Sequence, residues 1–221
     1  MDALVDLFLP RRCVVCGTAG EMLCRYCDRS LNRLRGTLCE RCGAPTAWPV
    51  ERCRECAGRR IAFTQARAAV VYDEAAKRLV GAWKERGQRT LARVAAEIVD
   101  GVVARRDAYT LTFVPADSIR YMERGHNPAQ RLASGLGERW NLPVVTLLRR
   151  RPGVARQRGL TLAERRRNVR GLFEATGPAP GAVVLVDDVY TSGATVSAAA
   201  TALRKAGARR VEVVTFARAV R

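Results

Sequence analysis

Apolar positions along this chain follow two periods that alternate. Ala66–Tyr72 is a compact run of small and β-branched residues and reads as a strand. Ala76, Leu79, Val80 and Trp83 then recur at i, i+3, i+4 and i+7, which is one face of a helix. Leu91, Val94, Ala95, Ile98 and Val102 repeat that spacing in a second helix. Leu111–Pro115 reads as a short strand, Ala129–Trp140 as a helix and Pro143–Leu147 as extended chain. Val183–Val186 is wholly apolar, as expected of a strand covered on both faces. Val196, Ala199, Ala200, Leu203 and Ala206 mark another helix, which stops at Gly207. Val211–Phe216 is a further strand. Strands alternating with helices predict a mostly parallel α/β sheet. Arg149–Gly171 has no clear period and is very rich in arginine. It reads either as a mobile loop or as a solvated basic face.

The chain before Ala57–Phe63 is of another kind. All eight cysteines lie there, in four pairs of one spacing: Cys13 and Cys16, Cys24 and Cys27, Cys39 and Cys42, Cys53 and Cys56. Two sulfurs three residues apart on a tight turn bind one ion, and two such turns complete a tetrahedral thiolate site. Seven residues separate Cys16 from Cys24, and ten separate Cys42 from Cys53. Gly17 and Gly43 follow the second cysteine of a pair, where a knuckle turn favours positive φ. Sequential pairing gives two Zn²⁺ sites, one of Cys13, Cys16, Cys24 and Cys27, the other of Cys39, Cys42, Cys53 and Cys56. Interleaved pairing is the alternative. A disulfide scaffold would suit a secreted chain, and nothing argues for secretion. Saturated four-thiolate sites leave no open position, so the expected role of the metal is structural. A small Cys-rich zinc module over residues 1–60 and an α/β domain over 61–221 are expected.

Charge adds a second constraint. The formal net charge is +18, with 39 basic residues. Eight thiolates on two Zn²⁺ would lower it to +14. Such an excess points to a polyanionic partner, either a phosphate-rich ligand or nucleic acid. Only Lys77, Lys84 and Lys205 are lysines, so genome composition is a competing source of the arginine bias. No apolar run reaches the length of a membrane span, and MDALVDLFLP lacks a basic leader. A cytoplasmic protein without membrane insertion is the expectation.

The strongest chemical signal is Val183–Thr195, VVLVDDVYTSGAT. In an open α/β sheet, ligands bind where strands end and helices begin. Val183–Val186 delivers Asp187 and Asp188 to that edge. Thr191, Ser192, Gly193, Ala194 and Thr195 follow, and then the helix. Small and hydroxylated residues let backbone N–H groups converge on an anion, and the helix N-terminus adds its positive end. Two carboxylates beside a phosphate make sense when the ligand also offers hydroxyls, because a ribose hydroxyl donates to a carboxylate. A phosphorylated sugar therefore fits the whole segment better than free phosphate.

VVLVDDVYTSGAT resembles the phosphoribosyl pyrophosphate (PRPP) signature of type I phosphoribosyltransferases. With the cysteine pairs, the Tyr72 strand followed by Lys84, VPADSIRYMERGHNPAQRLA and RQRGLTLAERRRNVRGLF, the chain resembles the ComF family of competence proteins. The resemblance implies an α/β fold of type I phosphoribosyltransferase type behind a double zinc ribbon. It implies that Asp187 and Asp188 face the ribose and that Thr191–Thr195 hold the 5′-phosphate. Arg120 and Arg124, in the loop after Val114-Pro115, would lie near the pyrophosphate with its Mg²⁺. Lys84 would contact phosphate, and Arg156–Gly159 would form a loop over the site. One departure stands out. The family reads RGFNQA where this chain has RGHNPA, so Pro128 removes a backbone donor and His126 changes the side-chain chemistry. For His126, the only histidine, a surface or packing role is expected.

The resemblance further implies a role in DNA uptake, with single-stranded DNA on the arginine surface and a helicase-like or competence-machinery protein as partner. The alternative is a phosphoribosyltransferase acting on an unidentified acceptor, with no DNA role. Such a transfer breaks the bond between C1 and pyrophosphate through an oxocarbenium-like state. No residue pattern names the acceptor.

Overall fold

A computed structural model describes residues 11–85, 87–107, 109–151 and 171–220. Four parallel strands form the main sheet: β1 (Gln65–Val71), β2 (Thr110–Phe113), β5 (Ala182–Tyr190) and β6 (Arg210–Arg218), in the order β1-β6-β5-β2. β3 (Leu148–Arg150) and β4 (Phe173–Ala175) make a separate antiparallel pair. The helices are α1 (Arg25–Ser30), α2 (Glu74–Lys84), α3 (Leu91–Asp100), α4 (Ser118–Arg124), α5 (Pro128–Trp140) and α6 (Ala194–Lys205).

The α/β architecture and its mostly parallel sheet follow from the period-two and period-3.6 pattern. Alternate residues of β5 and β6 serve two cores. Val184, Val186, Val214 and Phe216 join Leu79, Trp83, Leu91 and Leu132 from α2, α3 and α5. Val183, Leu185, Val211 and Val213 join Val196 and Leu203 of α6 and Phe173 of β4. Side chains of this size contribute about 2 kcal/mol each on burial. α2 starts where the Asp73 carboxylate accepts from Ala76 N at 3.0 Å, and it ends on Lys84, a cation suited to the C-terminal dipole.

Both sheet edges are covered. Beside β2, Leu111 N donates to Pro143 O and Val145 N to Leu111 O, each at 2.9 Å, so Pro143–Val145 runs extended and parallel there. Beside β1, Leu34 N donates to Ala69 O and Val71 N to Asn32 O, each at 2.8 Å. The cysteine-rich region is thus stitched to the sheet by the linker between its two halves. Its halves also belong to different cores. Cys13, Leu23, Cys27 and Leu31 pack with α2 and α3, whereas Cys39, Cys42 and Cys56 pack with Phe63 and Tyr190.

Three expectations need correction. The strand expected over Val183–Val186 runs on to Tyr190, because Asp187 pairs with Thr215 and Tyr190 with Arg218 of β6. The two aspartates therefore lie within the last turn of pleat rather than beyond it. The segment after Val114-Pro115, expected as a loop, contains α4, which buries none of its residues and so lacks an apolar period to betray it. Arg149 and Arg150, expected in a patternless basic stretch, belong to β3, where Arg149 Nε reaches Glu174 Oε1 of β4 at 2.6 Å. Residues 152–170, with Arg156–Gly159 among them, lie outside the described residues.

Candidate functional site

The cysteines gather as two sets of four, Cys13, Cys16, Cys24, Cys27 and Cys39, Cys42, Cys53, Cys56, with all sulfurs of a set within 4.8 Å of one another. The grouping is sequential rather than interleaved. Cys16 and Cys24 sulfurs are 3.7 Å apart, Cys39 and Cys56 3.7 Å, and Cys42 and Cys53 3.5 Å. A tetrahedral ion with Zn–S bonds of about 2.3 Å spaces its sulfurs about 3.8 Å apart, so the donors fit zinc. The turn chemistry agrees. Gly43 N donates to Cys39 O at 2.9 Å with φ of +70°, and a Cβ there would lie 2.5 Å from Ala66 O. Crowded thiols also split in acidity. Burial raises the Cys39 thiol, but N–H groups of Cys42 and Cys53 outweigh it and bring it down to about 7. Burial and the Cys39 thiol raise Cys56 to about 11. A dication would let all four sulfurs ionise together. Among the described residues no other cluster of metal-ligating side chains is found.

The second group of residues sits at the C-terminal edge of the parallel sheet. There β5 ends in Asp187, Asp188, Val189 and Tyr190, and Thr191–Gly193 lead into α6. Gly193 has φ of +70°, and a Cβ on it would lie 2.2 Å from Tyr190 Oη. The N-cap of α6 is Gly193, which has no side chain to cap the helix, and Thr191, Ser192 and Thr195 flank the turn in sequence. Ser192 Oγ accepts from Ala194 N at 3.4 Å.

Acidic and basic groups meet beside it. Lys84 Nζ lies 2.6 Å from Asp188 Oδ1, and both side chains are largely buried. Asp187 Oδ1 accepts from Asp188 N at 2.9 Å. Glu85, the residue after Lys84, accepts from Nε and Nη2 of Arg124 at the end of α4, a two-pronged contact along one guanidinium edge. The C-terminus of α2 thereby holds the β5 carboxylate with one residue and the α4 arginine with the next. Arg120 is exposed one turn earlier on α4. Burial and hydrogen bonds settle the place of His126. It is 3% exposed, with Nδ1 2.9 Å from Arg124 O and Nε2 3.2 Å from Trp83 O, so it packs α4 against α2. Asn127 caps α5 by accepting from Ala129 N at 3.0 Å and donates to Val114 O at 3.0 Å. Pro128 stands at the first position of α5, where an N–H has no helical acceptor, so the missing donor costs that helix nothing.

Three residues to which sequence reasoning gave no role join the two groups. Arg218, 1% exposed at the end of β6, donates to Cys42 O and to Glu55 Oε2, each at 2.6 Å. Its guanidinium also lies over the Tyr190 ring. Burial raises the Tyr190 phenol, and the Arg218 cation opposes that shift. Arg59, beyond the last cysteine, donates to Ser192 O. Tyr190 was visible in VVLVDDVYTSGAT, but its partner is remote in sequence.

A double zinc ribbon and a phosphoribosyltransferase-like edge thus occur in one chain, and that combination defines its class. The family description "Double zinc ribbon domain" matches residues 4–57, and "Phosphoribosyl transferase domain" matches residues 122–220. Over 203 residues the chain is 30% identical to DNA utilization protein YhgH of Salmonella typhimurium, covering 86% of this chain and 88% of that one. It is 26% identical to competence protein F of Haemophilus influenzae, covering 96% and 99%. It is 25% identical to competence protein ComFC of Bacillus subtilis, covering 85% and 80%. The chain belongs to this family of competence and DNA utilization proteins, the ComF family.

Proposed function

We propose that the protein binds PRPP, carried with Mg²⁺, at the C-terminal edge of its sheet, and serves the uptake or use of incoming DNA. The observation that carries the reading is the juxtaposition of the glycine-led N-terminus of α6 with two carboxylates at the end of β5. A 5′-phosphate placed on Thr191–Thr195 accepts from N–H groups and hydroxyls. The adjoining ribose then offers its hydroxyls to Asp187 and Asp188. Lys84 neutralises Asp188 and is within reach to turn toward phosphate when ribose satisfies the carboxylate. Arg124 and Arg120 on α4 supply positive charge on the pyrophosphate side, with Glu85 fixing the first of them. The names of the relatives, competence and DNA utilization proteins, support the cellular setting.

Calorimetry with PRPP and Mg²⁺ tests this reading. Saturable binding is expected, and Asp187→Asn with Asp188→Asn is expected to abolish it while zinc content stays the same. Binding that survives the double substitution would overturn the assignment. Pyrophosphate release in a panel of nucleobases and amines separates turnover from binding alone.

A further inference from the structure

Arg59 follows Cys56 closely in sequence and reaches the turn that leads into α6. Its Nη2 donates to Ser192 O. Its Nη1 donates at 3.0 Å to the carbonyl of Glu55, which lies between the last two cysteines. The backbone makes the same connection. Cys56 N and Ala57 N donate to Cys53 O at 3.0 and 2.8 Å, and Arg59 N donates to Cys56 O at 3.3 Å. The guanidinium is thus an outgrowth of the second knuckle. Beyond it, Ala62 N donates to Ser197 Oγ at 3.3 Å and Arg204 Nε to Ala62 O at 3.1 Å, so the segment is fixed to α6 as well.

Two features of Arg59 point to an anion. The first is its charge. Both side-chain acceptors are neutral carbonyl oxygens, and among the described residues no carboxylate pairs with it. Glu55 gives its carboxylate to Arg218 instead. A half-buried cation with no counter-ion favours an anion close by. Tyr190, buried against Gly193, feels the same charge: burial raises its phenol, and the Arg218 and Arg59 cations oppose the rise.

The second feature is direction. The carbonyl that Arg59 holds belongs to the peptide joining Ser192 to Gly193. A trans peptide sets its C=O and N–H on opposite sides. Gly193 N–H therefore faces away from Arg59, and it has no acceptor among the described residues.

We infer that Arg59 is a positioning residue for the 5′-phosphate: it pins the Ser192 carbonyl so that Gly193 N–H is aimed at the ligand. The inference rests on the PRPP reading above. It makes the second cysteine set part of that site, since the knuckle places the guanidinium.

The test is calorimetry of the full, zinc-loaded chain with ribose 5-phosphate and with PRPP and Mg²⁺, together with the Gly193 amide signal of isotope-labelled protein. Arg59→Met is expected to weaken both ligands by one factor of about tenfold, because both carry the 5′-phosphate. In the unaltered chain ribose 5-phosphate should move the Gly193 amide proton downfield, as a new hydrogen bond does. In Arg59→Met at saturation that proton should stay near its unliganded position. Mass spectrometry should find both zinc ions in the variant. If the unaltered chain binds neither ligand, the PRPP reading and the inference fall together. If it binds both and Arg59→Met binds them as tightly, only the inference falls. A loss confined to PRPP would put Arg59 on the pyrophosphate side and overturn it. Loss of zinc, or a Gly193 proton that moves alike in both chains, would make Arg59 a structural tie alone.

Discussion

The guanidinium carbon of Arg218 lies 4.5 Å from the centre of the Tyr190 ring. Arg218 also grips Cys42 and Glu55 in the second cysteine set, and Tyr190 fills the space that a side chain on residue 193 would need. A chain of direct contacts therefore runs from a metal knuckle to the turn proposed to hold phosphate. Arg218→Met would leave Cys42 O and Glu55 without their donor. Breaking a buried pair costs about 3 kcal/mol, and less here because Glu55 is partly exposed. Loss of about 2 kcal/mol in urea unfolding is expected, together with weaker PRPP binding. Arg218→Lys is not expected to rescue either, because one ammonium cannot span the three partners.

Gly193 is the other end of that contact. Gly193→Ala places a methyl group at positive φ and against the Tyr190 ring. The combined strain of about 1–3 kcal/mol falls on the turn itself. PRPP affinity is expected to drop about tenfold or more, with circular dichroism unchanged. The double variant with Tyr190→Ala relieves the clash but not the backbone strain. It should recover part of the affinity in a double-mutant cycle. Purely additive losses would show that the ring does not set the turn.

Lys84 and Asp188 make a different kind of pair. Lys84→Met leaves a largely buried carboxylate without its cation and should cost about 2 kcal/mol of stability. Adding Asp188→Asn removes that carboxylate and should restore most of the loss in thermal unfolding. PRPP binding, read by calorimetry, should stay low in the double variant because the ribose acceptor is gone. Recovery of both properties together would mean that the pair is structural alone.

Much of this layout is legible along the chain, and the illegible parts have physical reasons. Periodic apolar faces mark α2, α3, α5 and α6 because each packs on the sheet. α4 buries none of its residues, and Ile119 and Met122 stand exposed on it, so no apolar period marks it. The cysteine spacing announces two thiolate sets by itself. The end of β5 misleads because strand length depends on its neighbour. β6 continues to Arg218, so β5 follows it through two aspartates that ordinarily disfavour strands. The candidate edge is readable as a motif, but its supports are not. Glu85 with Arg124, and Arg218 with Tyr190, join residues far apart in sequence.

The two cysteine sets should differ in what their loss does to the sheet edge. Cys16 and Cys53 are each the more accessible members of their sets, so serine at either removes one ligand with limited repacking. Three thiolates hold Zn²⁺ far less well than four, and each variant should retain one zinc per chain by mass spectrometry. Around the second set, Arg218 reaches Tyr190 and Arg59 reaches Ser192, both at the proposed phosphate turn. Around the first set, the contacts run instead to α2 and α3, through Arg78 to Val15 O at 2.9 Å and Thr90 to Met22 at 2.9 Å. Cys53→Ser should therefore weaken PRPP binding markedly, and Cys16→Ser should leave it close to that of the unaltered chain. Equal loss of PRPP binding in both variants would mean that zinc supports the fold as a whole rather than the turn through the second set's own contacts.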